Sequence, residues 1–464
     1  LTAAMLLSDW LKKEKCLEKF IGIMLPASAG AVVANAGAML AGKTVVNLNF
    51  TAGHSSIQSA ISQCGIKTVI TSRQFLSKAR VGELEGMVFL EDIAEGFGAI
   101  KKALKYLSAI AIPSFLLTRM YGCGTDVSSL AAVIFTSGSA GEPKGVEHPQ
   151  GVMLSHRNIL ANTEGFSQVF HKLGRKDCLM GVLPFFHAFG FAGTLWFPLL
   201  NGFKAVYHSN PMDAKTVGEM VKKHGATALI ATPAFYSAYV RNCSREEFST
   251  VRIAISVAEK LSDGAANAFK EKFGLELLEG YGCAGLSPVV AVNVPDVMHG
   301  EITQTGRRRG TVGQPIPGVA VKIVHAQSGE RLYAGAEGIL FVKGHSVTQG
   351  YFNDYLATGE LLKGGWHNTG DVASMDEDGF IRIVDRVSRF SNIAGEMIPH
   401  IRIEQAILDA GGGEAAVTAV PDGSRGERIV AFYTANDVTK GDIWARLLKT
   451  DMPRLWIPKK ENIH

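Results

Sequence analysis

The sequence predicts an α/β protein: a large N-terminal domain of parallel-sheet αβ layers with a β-rich subdomain, then a small α+β C-terminal lid. Three observations predict it. Apolar strand-like and helix-like segments alternate through the first half of the chain. After Gly300 the texture changes to short β segments punctuated by turn residues. Beyond Asp385 a shorter mixed pattern of helix and strand follows. The expected boundaries are 1–385 for the first domain, with its β-rich part at about 300–385, and 386–464 for the second.

The chain opens at Leu1 rather than Met, directly in a helix-like pattern to Leu17, and reads as a segment of a longer protein. Phe20 to Leu25 (FIGIML) is a short apolar strand, and Ala29 to Leu40 is a helix of small residues. Thr44 to Leu48 is strand-like, Ser55 to Gln63 helical, and Thr68 to Thr71 again a strand. The alternation resumes at Ala132 to Phe135, Ala226 to Ile230 and Arg252 to Ser256. Strands separated by helices require crossover connections, which is the signature of a parallel sheet. Val319 to Val324 carries turn signals nearby, at Pro315 to Gly318 and Glu377 to Gly379. The last part shows a helix near Ile401 to Leu408 and strands at Ala415 to Val420 and Ile429 to Thr434.

Composition narrows the function classes. A length of 464 residues suits two or three compact units, and 47% apolar residues suffice for a large core. A net charge of +4, without a run of Lys and Arg interleaved with aromatics, argues against nucleic-acid binding. The six cysteines show no CxxC pair, which fits reduced thiols in a cytoplasmic protein. No apolar run reaches the roughly 20 residues that span a bilayer. Leu107 to Leu117, broken by Pro113 and flanked by Lys101, Lys102, Lys105 and Arg119, fits a helix lying on a membrane surface, and it equally fits a partly buried connector.

The strongest local signal is Thr136-Ser-Gly-Ser-Ala-Gly-Glu-Pro-Lys-Gly145, directly after an apolar strand. Gly138, Gly141 and Gly145 let the backbone approach phosphate oxygens closely. The hydroxyls of Thr136, Ser137 and Ser139 are donors, and Lys144 is a compact positive charge. The spacing is not that of a Walker A loop. Three further segments stand out: Gly280-Tyr-Gly-Cys-Ala-Gly-Leu-Ser-Pro288, Trp366-His-Asn-Thr-Gly-Asp371 and Asp385-Arg-Val-Ser-Arg-Phe390. Taken singly, each is most simply a turn, a core tyrosine or a surface ion pair.

Together and in this order, these segments resemble the signatures of the adenylate-forming superfamily, the AMP-binding enzymes that include acyl-CoA synthetases and luciferases. The loop is similar to [ST]SG[ST]xGxPKG, the second segment to GYGxTE, and the third to WxxTGD. The resemblance implies that Thr136, Ser137, Gly138, Ser139, Gly141 and Lys144 hold the phosphates of ATP, with Lys144 also catalytic. It implies that Tyr281 stacks on adenine, that Asp371 accepts from the ribose hydroxyls and Arg386 closes over them, and that Ser388 is the lid hinge. His187, in Leu183-Pro-Phe-Phe-His-Ala-Phe-Gly190, matches the segment beside the acyl pocket, implying catalytic and substrate-binding roles there with Phe191 and Gly282. Helix-like Phe191 to Leu200 and strand-like Ala205 to Tyr207 supply apolar wall suited to an alkyl chain.

Within the superfamily, VVNLNFTAG (Val45 to Gly53), PFFHAFG and LEGYGCAGLSPVVAVNVPD (Leu278 to Asp296) most resemble the acyl-acyl-carrier-protein synthetase domain of bacterial 2-acylglycerophosphoethanolamine acyltransferase fusions. The implied reaction is attack of a fatty carboxylate on ATP to give an acyl-adenylate, then transfer to the thiol of acyl carrier protein or coenzyme A. The implied setting is the cytoplasm or the inner face of the bacterial membrane, with a fused acyltransferase domain. The family's metal site would use Thr136 and a glutamate to bind Mg²⁺, but that glutamate is Gly285 here, and glycine offers no carboxylate. Val146 to Gly151 reads as an insertion after the loop, and the sequence ends at His464 before the family's C-terminal lysine segment. The resulting expectations are weak or absent adenylation, or a relative that binds nucleotide or acyl group with impaired catalysis. Gly285→Glu together with the C-terminal segment is expected to raise activity.

Overall fold

Small residues set how closely the first layers pack. In the computed structural model, which describes all residues except 80, 123–125, 137–148, 171–172, 301, 394–395, 423–425, 436 and 451, helix Ala29–Leu40 begins at Ser28, whose side chain accepts from the Ala31 amide. A Cβ at Gly37 would stand 2.8 Å from the Leu7 side chain, so glycine lets helix Thr2–Glu14 lie directly on this one.

These helices cover a six-stranded sheet. Its strand order is Met87–Phe89, Val69–Thr71, Phe20–Ile23, Thr44–Asn47, Leu130–Thr136 and Gln150–Ser155. All neighbours are parallel except the last pair, an antiparallel hairpin in which Thr136 faces Gln150. A second sheet runs Gln314–Pro315, Val289–Val292, Leu277–Gly282, Ile253–Ser256, Ala228–Ala231, Cys178–Gly181 and Lys204–Tyr207. It is parallel from Leu277–Gly282 to Lys204–Tyr207 and antiparallel at its first two junctions. The alternation of strands and helices in the sequence thus resolves into two parallel-containing sheets.

Helix His156–Val169 joins the two layers. Ser155 and Asn158 form a reciprocal capping box at its start. Farther along, the Asn162 side-chain amide donates to the carbonyls of Leu286 (3.1 Å) and Val289 (2.7 Å).

A third sheet contains Val319–Val324, Gly338–Gly344, Trp366–Met375 and Leu362–Lys363, with Ile381–Arg386 also paired to Trp366–Met375. Gln314–Pro315, within the stretch expected to be the β-rich part, instead completes the edge of the second sheet. After the turn Val387–Arg389 comes a separate small core. It is built by strands Phe390–Ile393 and Glu396–Pro399, helix His400–Asp409, hairpin Ala415–Asp422/Gly426–Tyr433 and helix Lys440–Leu447. Ile398, Ile403, Ile407, Ile443 and Leu447 are fully buried there, each contributing about 1.5–3 kcal/mol by leaving water.

Two expected helices differ in form. Phe191 to Leu200 is a π-helical turn, Gly190–Trp196, leading into helix Phe197–Asn201. Pro198 has no amide hydrogen, so the Thr194 carbonyl lacks its α-helical donor, and the Tyr207 hydroxyl supplies one at 2.8 Å. The apolar run Leu107 to Leu117 divides at Pro113 between helices Ala99–Ala111 and Ser114–Tyr121. Among the described residues, no helix is long and apolar enough to cross a membrane.

Candidate active site

The C-terminal end of strand Leu277–Gly282 and the paired strands Trp366–Met375 and Ile381–Arg386 meet at one cavity of about 230 Å³. Binding sites commonly lie beyond the carboxyl ends of parallel strands. Asp371 is opposite Arg386 in the strand register. The aim of Asp371 is set by a local irregularity: Gly370 has φ 71°, which favours glycine, while Thr369 donates to the Leu340 carbonyl at 2.8 Å and accepts from the Asp371 amide at 3.1 Å. Gly282 is also fixed sterically, because a Cβ there would stand 1.9 Å from the Pro288 carbonyl oxygen.

Tyr281, Asp371 and Arg386 all line this cavity. The Tyr281 hydroxyl donates to Asp371 Oδ2, and Arg386 Nε lies 3.6 Å from Asp371 Oδ1. Burial pushes the Asp371 carboxyl above its usual range, against the hydrogen bond from Tyr281 and the charge of Arg386. Burial likewise raises the Tyr281 phenol, which therefore stays a neutral donor. The set offers an aromatic face, a carboxylate acceptor and an exposed guanidinium, which suits the base, the hydroxyls and the negative charge of a nucleotide.

Sequence reasoning missed four groups in the same wall. Among the described residues Ser256 Oγ is buried with no hydrogen-bond partner, as is Asp385 Oδ2, and both residues line the cavity. Such orphaned atoms are costly unless a ligand or water satisfies them. Burial pushes the Glu279 carboxyl up to about 7, partly offset by a bond from the Leu261 backbone and by Lys260. Arg389 reaches in from the turn before the C-terminal unit and pairs with Glu404. Asp385 and Arg389 stand in the Asp385 to Phe390 segment noted in the sequence, and Glu279, two residues before Tyr281 on one strand, must share that face; Ser256 left no signal.

Ser137, Gly138, Ser139, Gly141 and Lys144 lie outside the described residues, as does the start of the Val146 to Gly151 insertion. Thr136, at the end of its strand, directs its hydroxyl to the Gln150 carbonyl at 3.5 Å and does not line the cavity. The hairpin that carries the loop is nevertheless tied to the cavity segment. The Thr348 amide donates to the Gly285 carbonyl at 2.8 Å, and its hydroxyl donates to the Met153 carbonyl at 2.6 Å. Residue 388 sits in the turn Val387–Arg389, and its side chain lies outside the described residues.

His187 is exposed, its ring tilted at 57° to that of Phe186 with centroids 4.7 Å apart, and it does not join the Tyr281–Asp371–Arg386 cavity. Phe191 is fully buried, its ring 6.0 Å from Trp196, so it acts within the core rather than as a free pocket wall. Trp196 itself borders a second, apolar cavity of about 690 Å³, together with Met39, Ile159, Leu199 and Leu200.

At position 285 the structure explains the glycine. An added Cβ would stand 2.2 Å from His367 Nε2. His367 is 3% exposed, its Nδ1 has no partner among the described residues, and burial holds its imidazole down at about 4, so it is neutral at physiological pH. The room a longer side chain would need is filled by imidazole. Among the described residues no group of three His, Cys, Asp or Glu side chains is placed to hold a metal ion. The residues around Gly285 therefore do not fit the carboxylate coordination expected for Mg²⁺.

Comparison with known proteins shows the family and the fold. A family profile described as AMP-binding enzyme matches residues 2–352. A long-chain-fatty-acid–CoA ligase of Yersinia pestis is 27% identical over 447 residues, covering 90% of this chain and 77% of the relative. The ATP-bound crystal structure of MatB from Rhodopseudomonas palustris superposes with a TM-score of 0.79 at 22% identity, covering 100% of this chain and 88% of that one. The o-succinylbenzoate CoA synthetase of Bacillus subtilis, in complex with its acyl-adenylate intermediate, gives a TM-score of 0.78 at 20% identity, covering 98% of this chain and 87% of that one.

Proposed function

This chain belongs to the AMP-binding enzyme family, and from that premise we propose that it is an AMP-forming ligase that activates a long-chain fatty acid with ATP. The observation that carries the reading is the convergence of Tyr281, Asp371 and Arg386 on one cavity beside the hairpin that bears the Gly-rich loop. The fatty acid is the favoured substrate because the Yersinia pestis relative is a long-chain-fatty-acid–CoA ligase and because the cavity at Trp196 is apolar.

In this mechanism Tyr281 stacks on adenine and Asp371 accepts from the ribose hydroxyls, with its second oxygen held by Arg386. Ser256 Oγ supplies a further polar contact in the same wall. Thr136 and the loop to Gly145, including Lys144, hold the phosphates so that the carboxylate attacks the α-phosphate in line and pyrophosphate departs. His187 stands at the acyl side. The 386–464 unit acts as a lid hinged near Ser388, and its movement lets a thiol, on coenzyme A or acyl carrier protein, take the acyl group from the adenylate. No step is assigned to Mg²⁺.

A second reading, a relative that binds nucleotide and acyl-adenylate but turns over poorly, is favoured by one observation: His367 occupies the space at Gly285 where a carboxylate would reach the phosphates. ATP–pyrophosphate exchange with palmitate, octanoate, malonate and an aromatic acid tests both. Palmitate-dependent exchange supports the ligase. Preference for malonate or the aromatic acid overturns the fatty-acid assignment. Absence of exchange, with tight binding of a non-hydrolysable acyl-adenylate mimic, establishes the second reading.

A further inference from the structure

Helix Ala99–Ala111 has an apolar stripe, Ile100, Leu104, Leu107 and Ala111, at helical spacing, and Lys101, Lys102 and Lys105 away from it. A helix packed on a protein core turns such a stripe inward. This one is turned inside out. Lys105 faces the body, 2.7 Å from the Asp9 carboxylate and hydrogen-bonded to Tyr121. The stripe faces solvent, and none of the helix's residues is buried. Beyond Pro113 helix Ser114–Tyr121 continues the same surface. Ile100, Leu104, Leu107, Ile110, Phe115 and Met120 are all more than half exposed.

Charge says what covers this surface. Residues 99–121 contain Lys101, Lys102, Lys105 and Arg119 and neither Asp nor Glu. Lys101, Lys102 and Arg119 are exposed beside the apolar side chains. A second copy docking here would bring like charges together, whereas an anionic lipid surface attracts them while its acyl region takes up the apolar stripe. Neither helix is long enough to span a bilayer, so the pair lies along the surface. We propose that helices Ala99–Ala111 and Ser114–Tyr121 form an interfacial anchor that seats the protein on an anionic membrane. The apolar cavity at Trp196 is bordered by Thr118 and Tyr121 of the second helix, so this seating puts that cavity at the lipid surface.

The proposal is independent of the ligase reading, and its test uses neither ATP nor fatty acid. The purified chain is sedimented with phosphatidylglycerol-rich vesicles and with pure phosphatidylcholine vesicles, beside Ile100→Ser/Leu104→Ser/Leu107→Ser and Lys101→Glu/Lys102→Glu variants. These side chains are exposed, and circular dichroism checks that the fold persists. The expected result is binding to the anionic vesicles that the triple serine variant loses by about tenfold or more. The charge-reversal variant and added salt each weaken it several-fold. A wild-type chain that stays in the supernatant overturns the proposal, as does a triple variant that binds equally well. A concentration-dependent dimer, abolished by the triple variant in the absence of vesicle binding, also overturns it and assigns the surface to self-association.

Discussion

The two ends of the segment from Glu279 to Ser287 differ. At Tyr281 an aromatic ring, a buried carboxylate and a guanidinium meet within one cavity. Four residues on, at Gly285, the carboxylate is gone and the imidazole of His367 stands where its Cβ would be. One end offers groups suited to a nucleoside, while the other presents a neutral, buried ring. Under the proposed function, affinity for the nucleoside and catalytic power toward the phosphates would be separable properties of this site.

The largest expected effect on turnover breaks that separation. Gly285→Glu alone collides with His367, so it is expected to lower stability by about 1–3 kcal/mol, read as a fall in melting temperature, with no gain in exchange rate. The gain expected from Gly285→Glu together with the C-terminal segment would on this account also need a change at His367. Gly285→Glu combined with His367→Ala removes the collision and is expected to raise ATP–pyrophosphate exchange about tenfold or more. A single variant as active and as stable as the double would show that the His367 contact does not constrain this position.

A smaller effect sharpens the nucleoside end. The Glu279 carboxyl is ionised above a pKa of about 7, and its charge then faces an anionic ligand in the cavity. AMP affinity, measured by calorimetry, is expected to fall about fivefold as pH rises through this value. Glu279→Gln should flatten that limb. A second limb is expected at acid pH, where protonation of Asp371 would remove the negative charge offered to the ribose hydroxyls. Its raised pKa brings that limb above the ordinary carboxylate range.

The smallest effect concerns stability. His367 is held near 4 in the folded protein against about 6.5 in an unfolded chain, so the unfolded state binds the extra proton between those values. The stability this neutral His contributes is complete above about pH 6.5 and is lost as pH falls toward 4. His367→Phe should shift acid unfolding, followed by circular dichroism, to lower pH. An unchanged acid transition would mean that other groups dominate it.

The contrast also shows what a sequence makes legible. The alternating strands and helices, from Phe20–Ile23 through Ile253–Ser256, follow from local periodicity and turn residues, and they emerged with ends shifted by only a residue or two. Tyr281, Asp371 and Arg386 stood in short motifs whose order carried them. Ser256 and Glu279 had no motif, because their place in the cavity comes from the lateral order of strands in the second sheet. The His367–Gly285 contact joins two distant segments and depends on packing that no local pattern records. Leu107 to Leu117 was legible as an apolar run flanked by basic residues, but the stripe on Ala99–Ala111 faces outward because Lys105 pairs with Asp9, which only the folded chain brings together.

Everything assigned to the cavity depends on Asp371 serving as the acceptor for a nucleoside. Calorimetric titration with a non-hydrolysable palmitoyl-adenylate mimic, on the wild-type chain and on Asp371→Ala, measures this directly. Saturable binding that AMP displaces and that Asp371→Ala weakens by about a hundredfold is the predicted result. Equal affinity in the two proteins, or no saturable binding by a folded wild-type chain, would contradict it.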